Sequence, residues 1–208
     1  MVQWQKGELI KESRWSRLYR TGPRDYYSES KFLLDGLRAD PSSIKREWNS
    51  FSDEEKVDFG IAFAAGAAAD KSPEVEEILT FLMSAGPEEV WMNIAGMLPK
   101  HSDKEAVMRF LLERLQTSQE PAYCFQALAG IGDQRAVPLL RQDYERRLTR
   151  INEAGVAAVS EFDWCDFYGC CAVLWKLGAE GPFETRVHEA LSHPSDIVRV
   201  RVGVLLES

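Results

Sequence analysis

The sequence predicts an all-α protein in which antiparallel helix pairs stack as a short right-handed solenoid. Three observations carry that expectation. Apolar residues recur at helical spacing along most of the chain. Helix starts and stops, written by Ser, Asp, Pro and Gly, punctuate it at short intervals. No run of alternating β-branched residues bounded by turns interrupts the pattern. The helix-to-helix corners near Leu98, Ile131 and Leu177 lie 33 and 46 residues apart. Spacings of roughly 30–45 residues belong to stacked helical repeats, each unable to bury its apolar face alone.

Residues 1–50 are expected to form an N-terminal helical capping segment, and residues 51–208 the repeat array. The first fifty residues hold a basic-aromatic stretch, RWSRLYRTGPRDYY, then two short helical patterns, SKFLLDGL and PSSIKREWNSF. The end unit of an array needs one polar face, so capping is the structural reading; a basic arm meeting an anionic ligand is the functional one. Ser52-x-x-Glu55 is a capping box for a helix through Ala69, closed by Asp70. Ser72-Pro73-Glu74 opens EVEEILTFLMSAG, with Gly86 past its end, and Pro87 opens PEEVWMNIAGML. Ser102-x-x-Glu105 reads as a second capping box, before KEAVMRFLLERLQ.

The following corner is the most legible part of the chain. Ala122, Phe125, Leu128 and Ala129 form a helical stripe across 119–130, and Gly130 and Gly132 supply the backbone freedom of a helix end. Asp133 is placed to cap the next helix, with Ala136, Val137, Leu140, Tyr144 and Leu148 on one side. Pro138 lies in the first turns of that helix, where its missing N–H costs little. The stretch INEAGVAAVS, 151–160, predicts either a prolonged helix ending at Gly155 or a loop inserted on one face. EFDWCDFYGCCAVLWKL then ends at Gly178, and Pro182 and Pro194 open two more helices. The last stops while still apolar, leaving Val202, Leu205 and Leu206 to be covered.

Within that corner, ALAGIGDQRAVPLL resembles a HEAT repeat of the short bacterial type, also found in phycobilisome-lyase-like proteins. Ile131, Gly132, Asp133, Ala136, Val137, Pro138 and Leu140 carry the match. The other copies are degenerate: LPKHSDKEAV lacks the Gly, and LGAEGPFETRV lacks the Asp. The resemblance implies a fold and a way of binding, with the second helix of each pair lining a concave surface. It implies no catalytic site.

Composition narrows the partner. Apolar residues at 45% and charged residues at 28% describe an ordinary globular chain. The net charge is −8, and residues 51–100 hold three Lys/Arg against ten Asp/Glu. That balance opposes nucleic acid, whose binding rests on neutralised phosphates, and predicts a basic protein partner. The N-terminus shows no apolar leader core, and FGIAFAAGAAA is about half the ~20 residues of a membrane span, so no membrane partner and a cytoplasmic location are expected. Cys124, Cys165, Cys170 and Cys171 form no C-x-x-C pair and read as buried free thiols.

No metal, cofactor or catalytic residue is expected. His101, His188 and His193 lack metal-ligand spacing, and no phosphate-cradling or dinucleotide glycine motif occurs. Asp163 with Asp166, or Glu88 with Glu89, are carboxylate pairs that suit a helix's first turn without any chemistry. The candidate partner-binding residues are Glu88, Glu89, Trp91, Glu120, Tyr123, Glu161, Asp163, Trp164, Asp166 and Tyr168. They interleave aromatic anchors with steering acids in the first turns of successive second helices. The function expected is non-catalytic protein binding, in its most specific form an immunity or inhibitor protein occluding a basic toxin. The alternatives are a scaffold subunit or an enzyme on the same fold. A DNA glycosylase-like site would use Trp164, Asp163, Asp166 and Trp175; bilin-lyase chemistry is the other enzymatic option.

Overall fold

A computed structural model describes residues 26–40, 42–67, 70–118 and 121–207, with side chains from residue 33. Among the described residues there are eleven α-helices and no strand, so the chain is all-α. Glu120 and the basic-aromatic stretch before Tyr26 lie outside them. The chain divides into two compact units, one ending at Ser102 and the other beginning at Asp103.

The first unit contains α1 (Tyr26–Ala39), α2 (Ser42–Glu47), α3 (Asp53–Ala67), α4 (Pro73–Ala85) and α5 (Glu88–Ile94). Helix α3 packs on both α1 and α5. Leu33, Leu37 and Ile44 are buried together with Phe59, Phe63 and Ile78, so the helices before residue 50 contribute to the unit's interior. Trp48, in the 3₁₀ turn after α2, meets Phe59 and Phe81 edge-on at 5.8 and 5.5 Å. Its indole N–H donates to the Ala85 carbonyl at 2.9 Å, so this large side chain is buried with its polar atom satisfied.

Local chemistry sets the helix ends. The Ser52–Glu55 capping box forms in both directions: Ser52 N–H donates to Glu55 Oε2 at 2.7 Å, and Glu55 N–H to Ser52 Oγ at 3.2 Å. Pro73 starts α4, while the Ser72 N–H donates to Asp70 Oδ1 at 2.8 Å. Gly86 ends α4 in extended rather than left-handed backbone. Its need for glycine is steric, since a Cβ there would stand 2.7 Å from that of Val90. The run expected as one helix after Pro87 tightens into a 3₁₀ segment, Ala95–Lys100, containing Pro99.

The second unit contains α6 (Lys104–Thr117), α7 (Ala122–Ile131), α8 (Val137–Ala154), α9 (Glu161–Lys176), α10 (Phe183–Leu191) and α11 (Asp196–Glu207). Helix α9 is its centre, packing on α7, α8, α10 and α11, and it is buried continuously from Phe167 to Leu174. Tyr144 stacks on Phe167 at 5.5 Å and meets Phe183 edge-on at 5.2 Å, joining α8, α9 and α10. At the corner, Gly132 takes φ +71° and its N–H donates to the Leu128 carbonyl at 3.0 Å. Asp133 Oδ1 then accepts from the Arg135 N–H at 2.9 Å, and Pro138 sits in the first turn of α8. Helix α8 runs 18 residues to Gly155 at φ +76°, the prolonged helix rather than the long loop. One expected cap moves: α6 is capped by Asp103, which accepts from the Ala106 N–H at 2.9 Å. Ser102 instead donates from N–H and Oγ to Glu76 at 2.9 and 2.6 Å, closing the first unit.

Candidate functional site

Helix α11 has more apolar residues than one packed face can use. Val198, Val202 and Leu205 are buried, whereas Ile197, Val200 and Val204, at i, i+3 and i+7, form a second stripe left exposed. Val200 is 64% exposed, and Phe162, in the first turn of α9, is 59% exposed. All seven large apolar side chains exposed among the described residues belong to the second unit.

The outer stripe of α11 borders a cavity of about 180 Å³. Tyr123, Phe125 and Gln126 of α7 form one wall, Val200, Arg201, Val204 and Leu205 of α11 the other, and Cys165 of α9 the floor. Gly169 lets the walls converge: a Cβ there would stand 3.0 Å from Phe125 Cδ2 and 3.4 Å from Leu205 Cδ1. Phe162 reaches the cavity's edge only through Arg201, whose guanidinium carbon lies 5.6 Å from its ring centre. Burial pushes the Cys165 thiol above its ordinary pKa, with Arg201 acting in the opposite direction. That thiol is a small apolar floor residue, not an activated nucleophile.

Comparison with protein-family models, curated proteins and solved structures found no match. The HEAT-like resemblance therefore rests on the corner's own residues. Among the described residues, no three His, Cys, Asp or Glu side chains gather as a metal site, and no helix is long and apolar enough to cross a membrane.

The candidate site residues divide between the units. Glu88, Glu89 and Trp91 belong to α5 of the first unit. Trp91 is 1% exposed, its ring turned into the core, so it is a packing residue and not the surface anchor expected. Glu89 is exposed and Glu88 half-buried. In the second unit, Tyr123 lines the cavity and Glu161 is exposed at the start of α9. Tyr168 is buried, stacked at 5.3 Å on the half-buried Trp164, with the His193 ring 5.6 Å from Trp164. Tyr168 is therefore also a packing residue rather than an exposed anchor.

Asp163 and Asp166, expected to attract a basic partner, turn toward arginines of α8. Asp166 Oδ2 accepts from Arg147 at 3.1 Å, and Arg147 also donates to Asp143 at 2.7 Å. Asp143 is buried and takes Arg146 as a second partner. Burial opposes the charge of Arg147, but Asp143 and Asp166 more than offset it, and its pKa is raised. Asp163 lies 3.7 Å from Arg150. It also completes the α9 cap, its N–H donating to Ser160 Oγ at 3.1 Å while Ser160 Oγ donates back to Oδ2 at 2.6 Å. The residues that sequence reasoning missed are Phe162, Cys165, Val200, Arg201 and Val204. For Val200, Arg201 and Val204 the signal was present in DIVRVRVGVLLES, which is apolar on two faces where a packed helix uses one.

Proposed function

We propose that the chain is a non-catalytic, HEAT-like protein-binding module that seats a helical segment of another protein between α7 and α11. The observation that carries this reading is the second apolar stripe of α11, Ile197, Val200 and Val204, of which Val200 and Val204 line the cavity shared with Cys165. A helix laid in an apolar groove, with one or two side chains anchored in a pocket, is a recurrent form of recognition. The packing of α6 on α7, α8 on α9 and α10 on α11, with α7, α9 and α11 successive neighbours, supports stacked helix pairs. Asp163 and Asp166 contribute little attraction to a basic partner, because Arg150 and Arg147 face them. An immunity or inhibitor role is the form the reading takes if the occupant belongs to a toxin.

Photo-crosslinking tests it. A benzophenone amino acid at Val200 should capture one discrete protein in the producing cells, while the same group at the exposed Glu89 of the first unit captures none. The adduct should vanish with Val204→Glu. Capture from Glu89 alone, or from neither position, would overturn the proposal.

A further inference from the structure

We infer that the segment seated in this groove carries a carboxylate, and that Arg201 receives it. The inference rests on the protein-binding reading and specifies the chemistry of the occupant. Arg201 lies between Val200 and Val204 in sequence and in the same cavity wall. Any partner that covers both valines therefore takes the guanidinium out of water. A cation so covered needs an acceptor, since the loss of hydration otherwise opposes binding.

Nothing described in the chain meets that need. Among the described residues Arg201 makes no ion pair, and its contact is the face of Phe162. The neighbouring cations are engaged: Arg199 donates to the His193 and Pro194 carbonyls and pairs with Asp196, and Lys176 donates to the Leu205 carbonyl at 3.2 Å. The Phe162 ring lies 5.6 Å from the guanidinium carbon and takes none of its N–H groups, which in an arginine can hold a planar carboxylate on two parallel hydrogen bonds. A single guanidinium in a unit with twelve Lys/Arg against sixteen Asp/Glu suits one negative charge better than a phosphate dianion.

Charge also selects between occupants. If a second copy paired with this one through antiparallel α11 stripes centred on Val200, the two-fold axis would pass beside Arg201 and set it near its own copy, like charge against like. A different chain escapes that repulsion. The occupant is thus an amphipathic helix of another protein, apolar at i, i+3 or i+4, and i+7, with Asp or Glu beside the stripe.

A phage-displayed library of 16-residue helix-forming peptides, selected on the full chain and counter-selected on Val200→Glu, tests this. The selected peptides should carry an acidic residue flanking the apolar stripe. By fluorescence anisotropy, Arg201→Glu should weaken them about tenfold or more, and changing the peptide's acid to Lys should restore binding to that variant. Arg201→Gln should fall between, with circular dichroism confirming that each variant is folded. Peptides that need Val200 but show no acidic preference, or that ignore Arg201→Glu, would overturn the carboxylate and leave the groove standing. No Val200-dependent peptide at all would overturn both.

Discussion

The two units carry almost the same charge but finish their surfaces differently. Residues 1–102 hold thirteen Lys/Arg against seventeen Asp/Glu, and residues 103–208 twelve against sixteen, so net charge does not distinguish them. Apolar surface does. In the first unit Trp48, Phe59, Phe63 and Trp91 all turn inward, and no large apolar side chain is exposed among its described residues. The second unit buries an equally full core around α9 and still exposes Phe162, Ile197, Val200 and Val204. It also holds a linked ion cluster, Asp143, Arg147 and Asp166, beside the buried thiol of Cys170, where the first unit buries a single imidazole, His101, against Thr80. For a chain of this acidity, where apolar residues sit says more about a binding surface than where charges sit.

The largest effect expected falls on the sealed unit. Trp48→Ala removes a ring that touches Phe59 and Phe81 together with a satisfied indole N–H, and should cost about 3–5 kcal/mol in a denaturant titration. Next comes the ion cluster. Asp143→Ala leaves Arg147, whose side chain is 13% exposed, with Asp166 as its remaining partner, and should cost about 2–3 kcal/mol. An effect on the scale of an exposed pair, under about 1 kcal/mol, would show that water reaches the cluster.

Alkaline pH should separate the units without mutation. Burial pushes the Cys171 thiol up to about 12, holds Cys170 well above its ordinary 9.0, and raises Cys165, Tyr144 and Tyr168. The folded state keeps these protons more tightly than the unfolded chain. Their contribution is therefore complete below the ordinary thiol pKa and is lost as pH rises toward about 12. Pulse proteolysis at pH 10 should cut first in the second unit; first cuts before Ser102 would contradict this. The smallest effect is expected at the proposed site itself. Val200→Glu replaces an exposed side chain and should leave stability within about 0.5 kcal/mol, unlike any charge placed at the buried Val202.

Much of the fold was legible because helix ends are local chemistry. The Ser52–Glu55 box, Gly132 with Asp133, Pro138, Gly155 and Gly178 act through atoms a few residues apart, and each ends or starts a helix as its residue type dictates. The cap expected at Ser102 falls to Asp103, an equal acceptor one residue on, while Glu76, far away in sequence, takes Ser102. The site was less legible for a related reason. Trp91 and Tyr168 belong to residue types that serve equally as core and anchor, and only packing decides which. Asp163 and Asp166 read as free acids until α8 brings Arg147 and Arg150 beside them. The outer stripe of α11 was visible as excess apolarity, but that its groove continues through Cys165 to Tyr123 depends on the convergence over Gly169.

The central claim is that binding-competent apolar surface is concentrated on the second unit, around α9 and α11. Photo-incorporation of bis-ANS into the native chain, followed by peptide mapping, tests it without any partner. Label should concentrate in the peptides spanning 161–168 and 196–207 and fall sharply in Val200→Glu. Equal labelling of peptides before Ser102, or labelling that Val200→Glu leaves unchanged, would contradict the account.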